Sequence, residues 1–204
     1  MSSAYKQLCV AVSNSSKKIA LGRVLGNNKA MDEIKVEVIP AMMVPIVARQ
    51  TAMEPHYAKK IVGMMDKDEL VLLAARRGVD GFVDNYIGRV SLWLAQPEEP
   101  EVWKYARDAA LINALYVNER ARSQGIAKHL MKAAEDEAKH RNKTLLAVGV
   151  EPTNTSARHL YETLGYAYRK CGNSDTYKAE WEVVGDAGET TQTVIDALLM
   201  VKEL

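Results

Sequence analysis

Apolar residues recur along this chain with two periods, and the switches between them divide it into strands and helices. Alternation over residues 34–39, ended by Pro40, predicts a first strand, and residues 42–52 and 55–65 then read as two short helices broken off at Asp66-Lys-Asp. Residues 69–76 and 87–95 are rich in Val, Leu and Ile with turn residues between them, which predicts an antiparallel hairpin. The run 96–101, Gln-Pro-Glu-Glu-Pro-Glu, reads as a solvated loop before a further strand at 109–117. From there the period changes: Ile126, Leu130, Ala134 and Ala138 recur every four residues, with Lys128, Lys132, Glu135 and Lys139 on other faces, as in an amphipathic helix over 126–140. Residues 144–150 form an uncharged apolar run typical of a central strand, so strand, helix and strand make a right-handed crossover. A second helix over 154–164 stops at Gly165, and a last hairpin pairs 177–184 with 193–201 across residues 185–188.

This order predicts one mixed α/β domain over residues 34–204. Residues 1–33 show no clear period and read as an extension of unknown role.

Composition narrows the chemistry. With 48% hydrophobic residues, 204 residues suffice for a buried core. The 27 basic and 26 acidic residues leave a formal net charge of +1, so no global field draws the protein to nucleic acid or to a membrane surface. Cys9 and Cys171 stand far apart, without disulfide or zinc spacing, and His56, His129, His140 and His159 share no ligand pattern, so no metal is expected. The first 28 residues lack a long apolar segment, which points to a reducing, cytoplasmic location.

The stretch Arg122-Ser-Gln-Gly-Ile-Ala127 lies between a strand and a helix start. Such a turn aims several unpaired backbone N–H groups at one point, an arrangement suited to phosphate. On the helix after the next strand, Asn154, Ala157, Arg158 and Tyr161 share one face.

Arg122-x-x-Gly125-x-Ala127 resembles the acyl-CoA pyrophosphate loop of the GNAT acetyltransferases, and Asn154-x-x-Ala157-x-x-Leu160-Tyr161-x-x-x-Gly165-Tyr166 resembles the segment that follows it. The specific resemblance spans roughly residues 109–166. It implies a GNAT-like fold, an α/β mixed sheet of about seven strands with helices on both faces, and acetyl-CoA as co-substrate. It further implies that Arg122, Ser123, Gln124, Gly125, Ile126, Ala127 and Lys128 hold the pyrophosphate. The backbone of Leu115, Tyr116 and Val117 would pair with the pantetheine arm in a gap between diverging strands. Asn154, Ala157 and Tyr161 would meet the cofactor, Asn154 through its arm or an ordered water, and Tyr161 would also protonate the departing thiol, whose ordinary pKa is near ~8.5.

Neither motif contains a cysteine, so the acetyl group is expected to pass directly to an amine of a small molecule or peptide in a ternary complex. Many relatives carry a glutamate in the strand before the loop. Here that strand reads Ala109-Ala-Leu-Ile-Asn-Ala-Leu115, and Asn113 cannot accept a proton. Asp108, Glu119, Glu151 or a water chain remain for the base. This departure leaves a rival reading, a CoA-binding sensor or interaction protein of the same fold with weak catalysis. A homodimer stays open.

Overall fold

The computed structural model of the chain describes residues 34–78, 85–95, 100–184 and 189–204. The expected N-terminal extension, the hairpin turn at 79–84, the acidic positions Glu98 and Glu99 and the loop 185–188 lie outside them.

The switch points of the apolar period become the element boundaries. β1 (Ile34–Val38) leads into a 3₁₀ turn, α1 (Val44–Gln50) and α2 (Pro55–Met65), both of which take proline in their first turn, where its missing N–H has no partner to lose. β2 (Leu70–Arg77) and β3 (Tyr86–Trp93) pair antiparallel. A short helix, α3 (Pro100–Tyr105), precedes β4 (Ala110–Val117). Its first residues had read as loop; burial of Val102 and Ala106 against the sheet holds it in place. Next come α4 (Ile126–His140), β5 (Leu145–Val150), α5 (Thr155–Thr163), a three-residue β6 (Ala167–Arg169), β7 (Thr176–Val184) and the long β8 (Thr190–Glu203).

These strands form one eight-stranded sheet in the order β1-β2-β3-β4-β5-β8-β6, with β7 beside β8. Only β4 and β5 run parallel, as the crossover through α4 requires. Two buried clusters sandwich the sheet. On one face, Ile126, Leu130, Met131, Ala134 and Ala138 of α4 and Ala157 and Tyr161 of α5 pack on Val71, Leu73, Val90 and Ile112. On the other, Val44, Val47 and Ile61 of α1 and α2 and Val102 of α3 cover Leu72, Ala74, Trp93, Leu111, Tyr177 and Leu199. Being covered on both sides is why β3 is buried along its whole length, its polar residues Arg89 and Ser91 included.

Two side chains depart from the sequence reading. Glu135 of α4 is buried, 4% exposed, and accepts a 2.8 Å hydrogen bond from Lys202 Nζ at the end of β8. Met42 is 83% exposed, so it fills no core gap, whereas Met53 is buried and Met43, Met64 and Met65 pack against the α1–α2 cluster.

Candidate active site

β4 carries the feature that opens the sheet. Arg89 faces Tyr116 and Ser91 faces Asn113, so one residue of β3 lies opposite two of β4 and a bulge falls at Ala114 and Leu115. Ala114 takes a left-handed backbone, φ 52°, uncommon for a residue with a side chain. Two polar groups hold it there. Asn113 Oδ1 accepts the Ala114 N–H at 2.6 Å, and Arg89 Nη1 donates to the Ala114 carbonyl at 2.7 Å. Pairing of β4 with β5 ends at Ile112↔Val148, and the two strands run on to Val117 and Val150 without facing partners between them.

Beyond β4 the chain turns through Asn118 and a 3₁₀ turn (Glu119–Ala121) into the loop before α4. Ser123 and Gly125 both adopt left-handed backbone, φ 61° and 79°. Gly125 is the N-cap of α4, no side chain caps the helix, and its first turn contains no acidic residue. The earliest main-chain acceptor contact within the helix is His129 N–H to Gly125 O, so the N–H groups of Ile126, Ala127 and Lys128 stand at an uncapped end that favours an anion.

These groups border a cleft of about 360 Å³ lined by Tyr116, Val117, Ala121, Arg122, Ser123, Gly125, Ile126, Ala127 and Lys128, with Ser156 and Leu160 from α5 opposite. Eight of the residues expected to bind cofactor therefore come together; Leu160 of the second motif joins them, and Ala121 and Ser156 do so unannounced by either motif. Arg122 is anchored, with Nε donating to Val117 O at 3.2 Å and Nη1 3.8 Å from Glu119 Oε1, which points the guanidinium along the loop.

Gln124 departs from expectation. It does not line the cleft; its amide joins Arg77 on β2 and, at 3.2 Å, donates to the Arg120 carbonyl, so the side chain secures the loop from outside. Asn154 also has a local task, because its Oδ1 caps α5 by accepting the Ala157 N–H at 3.1 Å. Ala157 is 1% exposed and packs in the core beneath the cleft.

A second, narrower space of about 30 Å³ passes through the gap between β4 and β5. Asn113, Ala114, Leu115, Gly149 and Tyr161 line it together with Tyr177, Ala179 and Trp181 from β7 and Ile195 and Ala197 from β8. Tyr116 and Leu160 line the cleft while their neighbours Leu115 and Tyr161 line this opening, so the two spaces abut. A Cβ on Gly149 would collide with the Tyr177 hydroxyl; only glycine lets that ring lie across the strand. Tyr161 is 3% exposed, with its ring 5.9 Å from that of Tyr166 at 54°. Burial, and then the nearby Glu135, push the Tyr166 phenol far above its ordinary range, so it stays neutral.

The opening lacks an acid. Asp108 is exposed, Glu119 is 83% exposed beside Arg122, and neither they nor Glu151 border either space among the described residues. Asn113, the polar residue of β4 at the opening, engages its carbonyl oxygen with the bulge. Among the described residues no group of three His, Cys, Asp or Glu side chains is placed to hold a metal ion, and no helix is long and apolar enough to cross a membrane.

Residues 44–166 match the family model described as Acetyltransferase (GNAT) family. No curated protein matches the chain. Among solved structures, ribosomal-protein-alanine N-acetyltransferase from Brucella melitensis superposes with a TM-score of 0.58 at 20% identity, over 83% of this chain and 99% of that one. A GNAT family acetyltransferase from Elizabethkingia anophelis with acetyl-CoA bound gives 0.55 at 20% identity, over 85% and 99%. IAA acetyltransferase from Bacillus cereus ATCC 14579 gives 0.54 at 18% identity, over 84% and 100%. At such identities the structural likeness is one of fold; the family model, matching more than half of the sequence, is what shows that this chain belongs to the GNAT acetyltransferase family.

Proposed function

We propose that the protein is an acetyl-CoA-dependent N-acetyltransferase that moves the acetyl group directly to an amine. The observation that carries this reading is the junction of the two spaces at β4: an anion-binding helix start on one side and, one residue away on both β4 and α5, a narrow opening bordered by Tyr161. Acetyl-CoA would supply the activated acyl group. The main-chain N–H groups at the start of α4 and Arg122 would hold its diphosphate, each charge-assisted hydrogen bond contributing about 1.5–3 kcal/mol. The unpaired edge of β4 from Asn113 to Val117 offers main-chain groups to the amide-bearing arm, as a neighbouring strand would.

Tyr161 is the proton donor in this scheme. A phenol with an ordinary pKa near ~10 keeps its proton at neutral pH and can give it to a thiolate as the thioester breaks. The acceptor enters from the α1–α2 side of the sheet, the side on which Tyr177 is packed. With no carboxylate on the opening, an amine that is already neutral when it binds, or one deprotonated through water, fits better than one needing a strong base. An amine acceptor in the cytoplasm, without nucleic acid or membrane, completes the reading.

The missing acid also favours a second version, in which the chain binds CoA and transfers little. Thiol release from acetyl-CoA across a mixed amine panel, run beside calorimetry with acetyl-CoA, decides between them. Release with at least one amine supports the transferase; tight binding without release supports the sensor; absence of binding removes both.

A further inference from the structure

Arg89 carries a positive charge that no acid among the described residues balances. Its residue is 1% exposed in the middle of β3, on the face covered by α1 and α2. Among the described residues its one hydrogen bond is from Nη1 to Ala114 O, and its Nε is buried without a partner. The groups facing it are the Tyr116 ring, 5.4 Å from the guanidinium carbon, and the Tyr57 side chain on α2. Among the described residues no ion pair holds it there.

Such an arrangement is unfavourable for a residue that only braces a bulge. Removing a cation from water without a counter-charge costs several kcal/mol, and a neutral donor would hold the Ala114 carbonyl without that penalty. A charge kept at this place is explained if a bound molecule brings the opposite one. Position says which molecule. Asn113 and Ala114, beside the carbonyl that Arg89 grips, line the narrow opening, and Tyr116, over its guanidinium, lines the cofactor cleft. Arg89 therefore lies behind the wall that both spaces share. The cofactor's phosphates have their own site at α4, which leaves the acceptor as the source of the anion.

With Nη1 engaged, the Nε–Nη2 edge is the remaining two-donor fork, a match for the two oxygens of a carboxylate. We propose that Arg89 reads a carboxylate on the acceptor, so that the substrate amine belongs to an amino acid or a similar short molecule bearing both groups. This rests on the acetyltransferase reading above and narrows it.

The test compares each free amino acid with its primary amide as acceptor for the full-length protein, by thiol release from acetyl-CoA. The acid is expected to exceed its amide in kcat/KM by about 30-fold, the loss of one or two hydrogen bonds to a charged group. Arg89→Gln brings the acid-to-amide ratio of kcat/KM to within about threefold of one, whatever the absolute rate with the amide becomes. Equal kcat/KM for acid and amide in the unaltered protein overturns the proposal, and so does a variant that lowers both members of a pair alike, which marks Arg89 as a brace. If Arg89→Gln fails to fold, the comparison in the unaltered protein and Arg89→Lys, which keeps the charge and loses the fork, decide instead. Should no amine release thiol although acetyl-CoA binds, the transferase reading fails, and thermal stabilisation in saturating CoA still reads the carboxylate site. N-acetylglycine stabilising the protein and N-acetylglycinamide not doing so supports it; equal effects, or none from either, overturn it.

Discussion

The two spaces that meet at β4 are built by different means. The cleft proposed for the cofactor is made mostly of one contiguous stretch, residues 116–128, and the donors it offers are chiefly main-chain groups at the start of α4. The opening beside it is assembled from side chains of β4, β5, α5, β7 and β8, spread over some eighty positions of sequence. Main-chain recognition depends on backbone shape and tolerates changes in side chain; recognition by convergent side chains changes with each substitution. A fold of this kind can thus keep one cofactor while varying its acceptor.

Substitutions that act on one space and spare the other sharpen this contrast. The largest effect is expected from Tyr161→Phe, which should slow turnover about 10²-fold or more with acetyl-CoA affinity unchanged, since only a proton donor is lost. An undiminished kcat would reduce Tyr161 to packing. Gly149→Val drives a branched side chain into the Tyr177 hydroxyl. Overpacking of this kind costs about 1–3 kcal/mol, and acceptor kcat/KM should fall while calorimetry with CoA is unmoved. Parallel losses for both ligands would show that the spaces are not separable.

On the cofactor side, Arg122→Ala should weaken acetyl-CoA about tenfold, or ~1.4 kcal/mol, and leave kcat at saturation as it was. The smallest effect belongs to Gln124→Ala. This exposed side chain tethers the loop to Arg77 and Arg120 without lining the cleft, so affinity should change by about twofold or less, as for ordinary surface substitutions. A tenfold loss there would place the Gln124 side chain on the ligand after all.

How much of this was legible in sequence follows the same division. The boundaries of α2 and α4 are those the apolar period predicted, and the loop from Arg122 to Lys128 folds where its glycine and the following amphipathic run placed it. Such features depend on neighbours in sequence. Arg89 sits inside an apolar run, and only the bulge of β4, formed some twenty-five positions later, buries its guanidinium beside Ala114. Tyr177 and Trp181 show in sequence only as members of a hairpin strand, because nothing local says that β7 crosses the mouth of a gap between β4 and β5. Glu135 looked solvated on the helical wheel, and its burial is explained by Lys202, which reaches it from the other end of the domain. The three residues of β6 are too few to show a period, and they are held by pairing with β8.

In the proposed scheme, main-chain N–H groups at the front of α4 grip the diphosphate of coenzyme A. Amide chemical shifts recorded while titrating CoA, and then S-acetylpantetheine, which lacks the diphosphate, test it most directly. The amides of Gly125, Ile126, Ala127 and Lys128 should show the largest shifts with CoA and little change with the truncated compound. If those four stay in place at saturating CoA, or move equally with both, the diphosphate does not bind there.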